Sequence, residues 1–122
     1  MLIKISSFHQ LHEYKKDIEE NNHNAIFIFI CSNELSNMVI EKFEELSKDL
    51  IIKVFIIDMR ESIDIAVEMG VSKFPYGVYP EIACYVYGLY LKPRKIKDID
   101  ELNVDLGLVK HIDSIDARRE ML

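Results

Sequence analysis

The stretch VFIIDMRESIDIAVEMGVSKFP, residues 54–75, decides how the chain is read. It opens with an apolar run rich in β-branched and aromatic residues, Val54–Ile57, the pattern of a strand covered on both faces. Asp58 ends the run. Ile63, Ala66 and Val67 then recur at i, i+3 and i+4, on one face of a short helix. Gly70 is expected to close that helix, because glycine enters the left-handed region without a Cβ clash. Val71-Ser72-Lys73-Phe74-Pro75 leads out of it.

Upstream, Leu2–Ile5 reads as a short edge-type strand. Ser7 and Gln10 form a capping-box pattern, in which the hydroxyl accepts from the helix start and the amide reaches back. Phe8, Leu11, Tyr14 and Ile18 give that helix one apolar stripe, fading near Asn21-Asn22. Ala25–Ile30, AIFIFI, is a continuous apolar run and reads as a central strand. Ser32 or Asn33 is placed to cap the next helix. Leu35, Met38, Val39, Phe43 and Leu46 form its buried stripe, and Ile51–Ile57 returns as a strand. Two apolar strands joined by one helix predict a right-handed parallel βαβ unit.

Downstream, YGVYPEIACYVYGLYL is tyrosine-rich. Ile82–Leu91 is read as one long strand kinked at Gly88. Lys92-Pro93-Arg94 is expected to turn, with Lys95–Ile99 as a weak partner strand. Leu102, Leu106, Val109 and Ile112 then fall at helical spacing, with Gly107 interrupting the pattern.

The strand ending in Asp58, the short helix, and Gly70, Val71, Phe74 and Pro75 at their spacing together resemble the thioredoxin superfamily. As element order the resemblance covers roughly residues 1–115. It implies one α/β domain over residues 1–122, with a thioredoxin-like fold: a central mixed sheet, helices on both faces and the order βαβαββα. It also implies where chemistry would sit. Redox-active members carry Cys-x-x-Cys at a helix start, where free N–H groups and the dipole stabilise a thiolate and a second sulfur resolves the mixed disulfide. Here the corresponding segment is Ile30-Cys31-Ser32-Asn33-Glu34-Leu35-Ser36-Asn37, and the chain has no Cys-x-x-Cys. Three registers stay open: the motif position falls on Cys31–Glu34, on Asn33–Ser36 or on Glu34–Asn37.

Length and composition bound the rest. A chain of 122 residues with 49% hydrophobic and 30% charged residues builds one ordinary globular core. The net charge of −6 argues against a nucleic-acid backbone as main partner. No apolar run approaches the roughly 20 residues that cross a bilayer, and Met1–Gln10 has no signal-peptide core. Two widely separated cysteines point to a reducing, cytoplasmic setting. His9 and His12 share a helix face but make an incomplete metal site. No metal and no cofactor is expected. Lys92, Arg94, Lys95 and Lys97 form a local basic cluster.

The function expected is a redox-degenerate, non-catalytic module that binds a protein or extended peptide. The resemblance places its groove at Ser32, Asn33 and Glu34, in the loop at 31–37, and at Phe74, Pro75 and Tyr76 in the facing loop. Pro80 competes with Pro75 for that loop, since its distance to Gly88 suits the next strand and turn. The alternative is a monothiol oxidoreductase with Cys31 as its catalytic nucleophile, forming mixed disulfides. Exposure of Cys31 separates the two readings. Tyr79, Tyr85 and Tyr87 share odd positions, so the tyrosine-rich strand offers either a self-association face or a half-buried face under the last helix.

Overall fold

The computed structural model describes residues 2–72 and 78–120, the last two by backbone alone. Its elements are β1 (Leu2–Lys4), α1 (Phe8–Glu20), β2 (Ala25–Ile30), α2 (Glu34–Ser47), β3 (Lys53–Asp58), α3 (Ile63–Glu68), β4 (Glu81–Val86), β5 (Leu89–Lys95) and α4 (Ile99–Glu120). From β2 to α4 the order is the expected βαβαββα, and β1 and α1 precede it.

The strands form one five-stranded sheet in the order β1-β3-β2-β4-β5. β1 and β2 each pair with β3 in parallel, whereas β4 pairs antiparallel with β2 and with β5. Every residue of β2 is buried, as its unbroken apolar run requires. Alternate side chains feed two cores. On one face Phe27, Phe29, Phe55 and Ile57 pack against Leu11 and Ile18 of α1 and Ile65 and Ala66 of α3. The Phe27 and Phe55 rings stack at 4.7 Å. On the other face Ile26, Ile28 and Val54 pack against Val39 and Phe43 of α2 and Leu102, Val109 and Ile112 of α4.

Local signals account for the element ends. Ser7 accepts from the Gln10 N–H at 3.1 Å, as the capping box predicts. The Gln10 side chain reaches back one residue further than expected and accepts from the Ser6 N–H. Gly70 adopts φ +98 after α3. Its N–H donates to the Val67 carbonyl and that of Val71 to Ala66, the two bonds of a Schellman ending.

Four expectations downstream of Pro80 are corrected. The long strand Ile82–Leu91 is a hairpin, folded at Tyr87 and Gly88, which both take positive φ (53 and 78). That is the conformation of a two-residue turn whose twist matches its strands. The turn expected at Lys92-Pro93-Arg94 lies inside β5. Pro93 is tolerated there because β5 is an edge strand with a bulge, Ile82 pairing with Arg94 but Cys84 with Leu91. Gly107 does not interrupt α4, which runs unbroken. Tyr85 is buried beneath α1 rather than the last helix: it packs in the α1/α3 core, and its hydroxyl donates to Glu19 at 3.3 Å. Tyr87, in the turn, is exposed.

Candidate functional site

The site is assembled where β2 ends and α2 begins. Asn33 is the N-cap of α2, with extended backbone, and its Oδ1 accepts from the Ser36 N–H at 2.7 Å. That satisfies one of the free donors of the first helical turn. The other end of the same amide donates to the Val78 carbonyl at 2.8 Å. One side chain therefore ties the helix start to the loop that enters β4. Asn33 and Ser36, joined by this cap, are the two ends of the second of the three open registers.

Cys31 lies upstream of the cap and is only 3% exposed. Its N–H donates to Ser36 Oγ at 2.9 Å, and its Sγ lies 3.3 Å from the same oxygen. Ser36 is itself buried, so the thiol is enclosed by the β2 end and the first turn of α2. Ser32 and Glu34 are exposed on the outer side of this turn, and Asn33 is half-buried. Glu34 carries its charge in the first turn of α2, where the helix dipole favours an anion.

Asp58 ends β3 opposite Ile30 and is also buried. Its carboxylate accepts from the Arg60 backbone N–H, from Nε and from Nη2 at 2.7–2.9 Å. These bonds with Arg60 hold the Asp58 carboxyl below the ordinary carboxylate range, against the opposing effect of burial. Glu81, the first residue of β4, shows the opposite balance. It is buried, and desolvation pushes its carboxyl up, with Lys95 only partly offsetting this.

Beside the cap is an open cavity of about 700 Å³. One wall is the first turn and a half of α2, through Glu34, Leu35 and Met38. The facing wall is the β5–α4 junction, through Lys97, Asp98, Ile99 and Asp100, and Tyr79 borders the cavity from the loop before β4. Its floor is apolar and its rim charged. The volume lies within the range of about 300–1,000 Å³ usual for ligand sites.

Of the sequence-predicted site residues, Asn33 and Glu34 border this cavity. Ser32 adjoins it in the chain, and Cys31 is enclosed behind the cap. Phe74, Pro75 and Tyr76 lie outside the described residues. Pro80, the competing proline, is buried and directly precedes β4, and its carbonyl accepts from the Ile96 N–H at 2.8 Å. The sequence reading missed the α4 wall. The local signal was Asp98-x-x-Glu101: Asp98 accepts from the Glu101 N–H, and Glu101 from that of Lys97, both at 2.8 Å. That pattern marks a helix start but says nothing about its neighbour on the same face of the sheet.

No family model and no curated protein matches the sequence. Solved structures do match. Thioredoxin O1 from Arabidopsis thaliana is 12% identical, with a TM-score of 0.70 over 88% of this chain and 96% of that one. A thioredoxin from Nicotiana alata is 17% identical, with a TM-score of 0.69 over 88% and 91%. A mutant thioredoxin from Halobacterium salinarum is 17% identical, with a TM-score of 0.67 over 92% and 90%. At these identities the likeness is one of fold. Among the described residues, no helix is long and apolar enough to cross a membrane.

Proposed function

We propose that this chain, which adopts the thioredoxin fold, is a protein- or peptide-binding module rather than a dithiol oxidoreductase. One observation carries the reading: Cys31, the cysteine at the α2 start, is enclosed, while an open cavity lies beside the Asn33 cap. A thiol that attacks a partner disulfide must be reachable and sufficiently ionised. A groove that binds an extended chain needs only apolar surface and backbone or side-chain hydrogen-bonding groups. The cavity supplies these between α2, Tyr79 and the start of α4. The expected Phe74, Pro75 and Tyr76 contacts are kept in the proposal as further contributors to binding. A reducing cytoplasmic location is proposed with it, on the two unpaired cysteines.

The monothiol alternative requires a partner disulfide to reach Cys31 through opening of the α2 start. The two readings separate in a nuclear magnetic resonance titration of the parent and of Cys31→Ser with unstructured peptides. The binding reading expects the same amide signals, at 33–38, 79 and 97–100, to shift equally in both proteins. Loss of all peptide binding in Cys31→Ser, with the protein still folded, overturns it.

A further inference from the structure

The groove has a chemistry of its own, and this inference rests on the binding reading above. Its floor is made of Leu35, Met38 and Ile99, with Ile99 half exposed at 51%. Among the described residues its rim carries the carboxylates Glu34, Asp98 and Asp100 against the single ammonium of Lys97. Two helix N-termini, those of α2 and α4, also face the cavity. Each contributes roughly half a positive charge, so the rim remains about one charge negative. Among the described residues neither Glu34 nor Asp100 has an ion-pair partner. The net charge of −6 adds long-range attraction for a cationic ligand.

We infer that the groove takes an extended peptide segment bearing an apolar side chain beside a lysine or arginine. The apolar side chain covers Leu35, Met38 and Ile99, and the cation meets Glu34 or Asp100. A carboxylate in place of that cation would face the same two groups and be repelled. Arginine suits the geometry better than lysine, because its planar fork engages a carboxylate through two hydrogen bonds.

The test uses the full chain and three fluorescein-labelled decapeptides: one alternating leucine and arginine, one with glutamate for arginine, and one with serine for leucine. Fluorescence anisotropy should give the leucine–arginine peptide an affinity about tenfold above the leucine–glutamate one at low salt, the factor two exposed ion pairs supply. Rising ionic strength should close that gap. The double variant Glu34→Gln with Asp100→Asn should shrink it at a cost of only a few °C in Tm, since both side chains are exposed and each gives up only a favourable place at a helix N-terminus. The serine–arginine peptide should bind about tenfold more weakly, having lost the apolar contact. Equal affinity of the arginine and glutamate peptides, with amide shifts still confined to 33–38, 79 and 97–100, overturns the charge assignment and leaves the groove in place. Absence of binding by any peptide overturns both. Shifts of those same amides on raising protein concentration alone, without peptide, would assign the groove to the basic β5 edge of a second copy and overturn the inference.

Discussion

Asn33 holds two parts of the site together, and replacing it tests the assembly directly. Asn33→Ala removes the cap on the Ser36 N–H and the bond to the Val78 carbonyl. Loss of an N-cap costs about 1 kcal/mol, and loss of a partly exposed hydrogen bond about another 0.5–1 kcal/mol. The sum is about 2 kcal/mol, or roughly 8 °C in Tm for a domain of this size. Asn33→Asp separates the two parts. Its carboxylate still caps α2, but it has no N–H to give Val78 and sets a negative oxygen against that carbonyl. The expected loss is about 1 kcal/mol, near 4 °C, the larger part of it at the Val78 contact. Thermal unfolding followed by circular dichroism reads the totals. Amide hydrogen exchange at residues 78, 79 and 81 reads the loop, which should lose protection in both variants. A parent-like Tm and unchanged exchange in Asn33→Asp would refute the claim that this side chain joins helix to loop.

Asp58→Asn should destabilise the protein by about 1–3 kcal/mol at neutral pH, because the charged acceptor of three Arg60 hydrogen bonds is lost. The Asp58 carboxyl is held low in the folded state, so its stabilisation is present above the ordinary carboxylate value of about 3.9 and is lost as pH falls through its folded value. The gap between variant and parent in urea unfolding should therefore narrow below about pH 4. Glu81→Gln should act the other way. Burial raises the Glu81 carboxyl, so ionisation opposes folding as pH rises through that folded value. The variant should gain Tm at pH 7–8 and gain nothing in acid. Gly88→Ala should cost more than about 1 kcal/mol, since φ is +78 and its Cβ would lie 3.1 Å from Asn22 Cα. Gly107→Ala meets nothing within 4 Å inside α4 and should add about 0.5–1 kcal/mol, both read by thermal melts.

Signals confined to a few residues were legible in the sequence. The AIFIFI run marked β2, and Gly70 marked the end of α3 with the hydrogen bonds glycine permits there. The hairpin was hidden because a tyrosine, not asparagine or aspartate, takes positive φ at residue 87. Gly88 alone then read as a kink. Pro93 read as a turn because its tolerance in β5 depends on the strand lying at the sheet edge, which is decided by topology. Gly107 looked like an interruption, yet α4 is held by Leu102, Val109 and Ile112 against the sheet, and that packing outweighs one weak helix former. The candidate site followed the same division. Asn33 could be read as a cap from its place before an amphipathic stripe. Its bond to Val78, and the meeting of α2 with residues 97–100, arise only when strands distant in sequence are set side by side.

The most direct measurement of the central claim is the rate of iodoacetamide alkylation at Cys31 in the native protein across pH, located by peptide mass mapping and compared with the denatured chain. Strong protection is expected: Cys31 is enclosed by Ser36 and the α2 start, so labelling should proceed only through local opening and be far slower than in the denatured chain. Fast native labelling that persists well below about pH 8.5, the free-thiol value, would mean an exposed, activated thiolate. Sulfur chemistry, rather than the neighbouring groove, would then be the purpose of the site.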